Sequence, residues 1–134
     1  MAHVQARIPA SRVLLVSSIG AFLAFLDATI VNVAFPSIRD SFPGTSIGSL
    51  SWILNAYNIV FAAFLIVFGR LTDLVGRRRA FVLGISLFTV ASGLCGLAPN
   101  VELLVAFRVL QALGAAMLVP ASLALVVEAF PEEK

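Results

Sequence analysis

Apolar residues gather in four long runs, Val13–Phe35, Leu50–Phe68, Ala80–Ala98 and Leu103–Val127, divided by short polar connections. A hydrocarbon core about 30 Å thick is crossed by roughly 20 helical residues rising about 1.5 Å each. All four runs reach that length. The pattern therefore predicts an all-α integral membrane fold, with transmembrane helices at about 13–35, 50–68, 80–98 and 103–127. The connections carry turn residues. Pro36 is expected to end the first helix, and Pro43, Gly44 and Gly48 break the stretch up to Ser49. Pro99–Glu102 is a tight turn that makes the last two spans an antiparallel pair. Between the second and third spans lies Gly69–Arg79, GRLTDLVGRRR, with an acid, two glycines and four arginines in a loop too short to fold separately. A polar hinge in that place points to transport across a membrane.

Composition agrees with this. Of the 134 residues 60% are hydrophobic and only 12% are charged, whereas a soluble domain carries roughly 25% charged residues. The mean hydropathy is +1.05. A sequence pI near 9.3 would suggest nucleic acid in a soluble protein. Here the arginines sit at membrane ends, where cytoplasmic segments are rich in Lys and Arg, so no nucleic-acid partner is expected. With the N-terminus inside, the inner segments hold Arg7, Arg12, Arg70, Arg77, Arg78, Arg79 and Lys134, and the outer ones only Arg39. That asymmetry predicts a multi-pass protein of the cell membrane with both termini in the cytoplasm. Trp52 falls at the outer interface, where indole rings favour the headgroup level.

The first span does not read as a signal peptide, because its apolar region is too long, contains Asp27 and lacks a small-residue cleavage site. Cys95 is the sole cysteine, which excludes an internal disulfide framework, and it reads as a packed thiol. His3 is assigned no role. The residues from Glu128 to Lys134 do not resemble a finished terminus, so the chain is expected to be a fragment of a longer polypeptide.

Two charged residues lie inside the spans. A carboxylate at the bilayer centre costs about 2.5–3.5 kcal/mol, so Asp27 must face protein or water. It is either a site that exchanges a proton or meets a cationic substrate, or an acid that only ties helices together. Arg108 is the natural partner. Counted from the outer ends of their spans, Arg108 is about 8 Å deep and Asp27 about 12 Å, less than one helical turn apart. The alternative is that Arg108 snorkels to the outer headgroups. Gln111, Ala112 and Ala115 follow Arg108 on one small, polar face. On the second span Ser51, Asn55 and Asn58 share a stripe that either lines a hydrated cavity or supplies interhelical hydrogen bonds, and Asn32 on the first span is similarly ambiguous. Gly20, Ala24 and Ala28 form a small-residue ridge, as do Ala112 and Ala116, and these read as packing surfaces. Pro120 is expected to weaken or kink the fourth helix. The third span, with only small hydroxyls for polarity, looks peripheral and lipid-facing.

In Gly69–Arg79, the glycines Gly69 and Gly76 permit a tight turn, and Asp73 is flanked by Arg70 and Arg77, so charge pairing can fix the loop. Arg78 and Arg79 read either as part of that arrangement or as plain membrane anchors. The segment resembles motif A of the major facilitator superfamily, roughly G-x-L-x-D-x-x-G-R-[KR], through Gly69, Leu71, Asp73, Gly76, Arg77 and Arg78. Leu26–Pro36, LDATIVNVAFP, resembles the first-helix signature of that superfamily's 14-helix drug:proton antiporter branch. Arg108–Ala116, RVLQALGAA, resembles the fourth-helix motif R-x-x-Q-G-x-G-A-A. Three positions depart from the pattern: Leu74 replaces an often basic residue, Ala112 a usual glycine and Val67 a frequent proline.

The resemblance implies a fold of two six-helix halves, each built of two inverted three-helix repeats around a central cavity. This chain would supply the first four helices of the N-terminal six-helix bundle. By resemblance, Asp27 would act in proton coupling or cation recognition and Arg108 in energy coupling, with Asn32, Asn55, Asn58 and Gln111 as cavity-lining candidates. Gly69, Asp73, Gly76, Arg77 and Arg78 would belong to a cytoplasmic latch that stabilises one state of alternating access. The expectation is an N-terminal fragment of a proton-coupled exporter of small amphipathic or cationic compounds. Its partners would be membrane lipid, a small-molecule substrate and the remaining helices. No enzyme is expected: the sequence shows no nucleophile–base pair, metal-ligand cluster or phosphate-binding glycine loop, and the driving force would be a proton gradient without a cofactor. Two other readings stand beside it, a small four-helix homodimeric transporter and a non-transporting membrane scaffold.

Overall fold

In the computed structural model residues 8–130 are described; Arg7 and Lys134, two of the expected inner cations, lie outside them, as does His3. Four helices follow one another: α1 (Ala10–Ser41), α2 (Ile47–Val75), α3 (Arg77–Gly96) and α4 (Val101–Ala129). All four are long and apolar enough to cross a membrane. The described residues contain no strand.

Local chemistry explains the helix boundaries. The Ser46 hydroxyl accepts the Ser49 N–H at 3.1 Å at the start of α2, and Asn100 Oδ1 accepts the Leu103 N–H at 2.8 Å at the start of α4. Each satisfies one of the orphan donors of a first turn. Gly76 alone separates α2 from α3, with φ at +101°, a conformation that side chains rarely adopt.

Two expectations about these boundaries are corrected. Pro36 lies inside α1 and does not end it. Proline removes one ladder hydrogen bond without cutting the chain, and the helix regains regular bonding beyond it up to Ser41. Gly69–Arg79 is not an eleven-residue loop either. Gly69–Val75 form the last two turns of α2 and Arg77 opens α3. One glycine inside a helix costs only about 1 kcal/mol against alanine, too little to stop a helix that otherwise satisfies its backbone. The Thr72 hydroxyl bonds back to the Phe68 carbonyl at 2.8 Å, and the Gly76 N–H reaches the Thr72 carbonyl.

Helix α4 is the centre of the bundle. Half of its apolar stretch is buried, a larger share than in α1, α2 or α3. It packs against all three other helices, and the central core joins Ala112, Ala115 and Val119 of α4 to Ala24, Tyr57 and Phe88. The helix stays continuous through Pro120. The Gly20–Ala24–Ala28 ridge packs inward: Gly20 and Ala24 are buried, and a Cβ on Gly20 would fall 2.9 Å from the Phe81 ring.

Helix α3 corrects a third expectation. One face is exposed at Val82, Leu83 and Val90, but the other makes the closest backbone approach in the bundle. A Cβ on Gly84 would sit 2.8 Å from the Leu118 nitrogen, and one on Gly114 2.6 Å from the Phe88 nitrogen. Two facing glycines let the backbones of α3 and α4 meet, the arrangement that small residues permit between membrane helices.

Replacing Gly114 with Ala is therefore expected to push the two backbones apart and to cost about 1–3 kcal/mol, as overpacking does. Gly93→Ala, where nothing lies within 4 Å of the added carbon, is expected to leave the melting temperature of the purified protein unchanged or to raise it slightly, since alanine is favoured over glycine within a helix. Equal melting temperatures for the two variants would contradict this packing.

Candidate functional site: an ion pair inside the membrane

The buried positions of α1 run Ser17, Gly20, Ala24, and Asp27 continues them at the next helical step. The stripe that packs against α4 therefore carries a carboxylate in its middle. On α4 the buried stripe runs Leu104, Arg108, Gln111, Ala112 and Ala115. Facing each other, the two stripes bring Arg108 Nη1 to 2.5 Å from Asp27 Oδ2. Gln111 completes the pair: its Nε2 donates to Asp27 Oδ1 at 2.9 Å, and its Oε1 accepts from Arg108 Nη1 at 2.9 Å.

The other two helices hold the guanidinium and the amide. Arg108 Nε donates to the Ile53 carbonyl of α2 at 3.4 Å, and the Tyr57 ring lies 4.1 Å below the guanidinium carbon. The Tyr57 hydroxyl donates to the Ala24 carbonyl of α1 at 3.4 Å. From α3, the Cys95 thiol donates to Gln111 Oε1 at 3.6 Å. All four helices thus meet at one polar node. A charge away from water must be paired and hydrogen-bonded to persist, and Arg108 finds a carboxylate, an amide, a carbonyl and a ring face.

The two charges differ in their access to solvent. The Arg108 side chain is 3% exposed and that of Asp27 is 16% exposed. A cavity of about 380 Å³ reaches Asp27, Arg108, Gln111 and Cys95, and extends to Ser41 and Phe42 at the end of the bundle opposite Gly76. The carboxylate is the member of the pair that a proton or a cation can approach. The guanidinium is the fixed member.

The remaining site candidates lie elsewhere. Asn55 and Asn58 are exposed and make no hydrogen bond among the described residues, because the packing face of α2 is Ile53, Ala56 and Tyr57. The interhelical hydrogen bonds considered for their stripe are absent from the described residues, and Ser51 instead bonds back to the Ile47 carbonyl at 2.8 Å. Asn32 is also exposed, its Nδ2 donating to the Ala28 carbonyl at 2.7 Å. Gly69 faces Pro120 of α4, whose Cβ would lie 3.9 Å from an added carbon. At the basic end, Arg77 Nη1 lies 3.3 Å from Glu128 Oε2 at the close of α4. Asp73, expected to pair with Arg70 or Arg77, has no cation within 4 Å among the described residues, because it sits on the helical surface of α2 and is exposed. Asp73, Gly76, Arg77 and Arg78 border a common depression with Glu128.

Residues 17–134, which include every member of the node, match the Major Facilitator Superfamily. The chain belongs to this superfamily. It is 47% identical over 121 residues to multidrug resistance protein Stp of Mycobacterium tuberculosis (strain CDC 1551 / Oshkosh), covering 90% of this chain and 22% of that protein. It is 40% identical to the methylenomycin A resistance protein of Streptomyces coelicolor, covering 86% of this chain and 24% of the relative. The riboflavin transporter RibZ of Clostridioides difficile (strain 630) is 38% identical, with 89% of this chain and 26% of that protein covered. The chain therefore spans about a quarter or less of the length of these superfamily members. Its four helices long and apolar enough to cross a membrane agree with that membership.

Tyr57, the Ile53 carbonyl and Cys95 were not among the expected site residues. Tyr57 is the only tyrosine in the chain and lies within a span, which could have marked it. The carbonyl leaves no trace in a sequence.

Removing one partner of a buried pair strands the other, at about 3–5 kcal/mol. Arg108→Leu is expected to destabilise the full-length protein by about that much, and adding Asp27→Asn to restore part of the loss. Additive effects in this double-mutant cycle, measured by thermal unfolding, would show that the two side chains do not interact.

Proposed function

We propose that the chain is part of a proton-coupled exporter of small amphipathic or cationic compounds, in the cell membrane, with the Gly76 end of the bundle in the cytoplasm. The observation that carries the reading is the Asp27–Arg108–Gln111 node on the wall of a cavity. It is supported by the likeness to resistance proteins and by the gathering of Arg70, Arg77, Arg78 and Arg79 at one end of the bundle. No covalent chemistry is involved. Protonation of Asp27, or arrival of a cation beside it, removes the partner of Arg108. The guanidinium then rests on Gln111, the Ile53 carbonyl and the Tyr57 ring, so one event at α1 is felt on α2 and α4. Asn32, Asn55 and Asn58, exposed on this four-helix surface, would line the cavity shared with the remaining helices.

Gly69, Asp73, Gly76, Arg77 and Arg78 would form the latch of alternating access. The Arg77–Glu128 pair is solvent-exposed and worth little by itself, about 0–1 kcal/mol. Its value in this reading is positional, because it ties the start of α3 to the end of α4. The likeness to a riboflavin transporter favours a second reading, movement of a neutral or anionic metabolite through the same cavity.

In cells carrying the full-length protein, Asp27→Asn is expected to abolish proton-driven efflux of a fluorescent lipophilic cation at normal membrane levels. Unchanged efflux would reduce Asp27 to a structural tie, and absence of cation efflux from the unaltered protein would favour the metabolite reading. For the latch, Arg77→Glu is expected to slow transport and Arg77→Glu with Glu128→Arg to recover it. Failure of the paired reversal to recover any rate would remove the ion pair from the mechanism.

A further inference from the structure

At the end of the bundle bearing Gly76, a crevice of about 400 Å³ opens between α1, α3 and α4, away from the ion-pair node. Its walls are apolar, formed by Val16, Phe81, Val82 and Leu125, and the exposed side chains of Arg12 and Arg78 border it. Among the described residues neither arginine has a carboxylate within 4 Å.

Two further observations point to a ligand there. The first is Ser17. Thr29, Ser41, Ser51, Thr72 and Ser122 all return their hydroxyls to the carbonyl one turn back. Ser17 lines the crevice, is 1% exposed, and its Oγ has no partner among the described residues. A buried unpaired hydroxyl costs roughly 1–3 kcal/mol, which a bound acceptor would remove. The second is the first turn of α3, which holds Arg77, Arg78 and Arg79, has no acidic residue and receives no side-chain cap. Three cations on the positive end of a helix dipole repel it. Glu128 meets only Arg77, so an anion beside Arg78 offsets a repulsion the chain leaves standing.

An anionic group attached to an apolar chain satisfies all of these features together. We propose that this crevice binds an acidic glycerophospholipid. The phosphate lies between Arg12 and Arg78, one acyl chain runs along Val16, Phe81 and Val82, and the Ser17 hydroxyl donates to an ester carbonyl. Ser17 lies five residues deeper than Arg12, about 7.5 Å along the helix axis, which suits the ester's position below the phosphate. Basic pockets between helices at a membrane surface are the usual sites for such headgroups. The inference does not depend on the transport reading, since it requires that the bundle sit in a bilayer and that the crevice stay open to lipid in the full-length protein.

Native mass spectrometry of the full-length protein, given phosphatidylglycerol or phosphatidylcholine in detergent, tests the site. The unaltered protein is expected to retain phosphatidylglycerol over phosphatidylcholine by roughly tenfold, since each basic residue near a membrane surface favours anionic lipid. Arg12→Gln with Arg78→Gln is expected to lose that preference, and Arg12→Lys with Arg78→Lys to keep it. Val16→Trp, which fills the crevice and leaves every charge in place, is expected to lose retention as well. Equal retention of the two lipids by the unaltered protein would overturn the proposal, and so would retention that none of the Arg12, Arg78 and Val16 variants alters, the result expected if another helix of the protein fills the crevice. Full retention by Val16→Trp, or complete displacement of the lipid by millimolar inorganic phosphate, would reduce the site to a surface anion contact and overturn it too.

Discussion

A carboxylate and a guanidinium held together away from water set the terms for the rest of this bundle. Neither charge is tolerable in hydrocarbon by itself, so α1 and α4 must meet face to face at Asp27 and Arg108. The remaining donors and lone pairs recruit the other two helices. Ile53 and Tyr57 bring α2 to the guanidinium, and Cys95 brings α3 to the Gln111 amide. Apolar side chains cannot specify such a meeting in a bilayer, because lipid tails are as apolar as leucine. The node and the glycine contact between α3 and α4 supply the specificity that hydrophobic burial cannot.

The two ends of the bundle are built differently. Around the node, polar groups are buried and satisfied, and of the two charges bordering the cavity Asp27 is the more exposed. At the Gly76 end the charges are exposed, and the one ion pair among the described residues there, Arg77–Glu128, is half in water. This division matches the proposed roles. A coupling site needs a charge whose partner is fixed, which the buried Arg108 provides for the more accessible Asp27. A latch needs contacts weak enough to break in every cycle, as exposed pairs are.

The sequence carried the membrane fold, the four spans and the node's three polar side chains, because each leaves an energetic mark. Long apolar runs have no place in a soluble domain of this size, and Asp27, Arg108 and Gln111 are costly wherever they are not paired. The misreadings came from local signals that tertiary context outweighs. Pro36 reads as a stop, yet the helix absorbs one missing hydrogen bond and continues to Ser41. Gly69 reads as a turn, yet of the two glycines in that segment only Gly76 takes a positive φ. Asp73 and Arg77 are near in sequence, but Arg77 reaches across to Glu128, some fifty residues away. Gly84 drew no notice and Gly114 entered only as a position of the fourth-helix motif, since close backbone contact between two glycines appears only once the helices are placed against each other.

The central claim is that Asp27 takes up or gives off the proton that substrate binding moves. The direct measurement is the pH change on adding a lipophilic cation such as ethidium to the purified full-length protein in weakly buffered detergent. The account predicts proton release on binding in the unaltered protein and none in Asp27→Asn, with the variant still folded. Equal release from both proteins would place the coupling carboxylate elsewhere and leave the Asp27–Arg108 pair a structural tie.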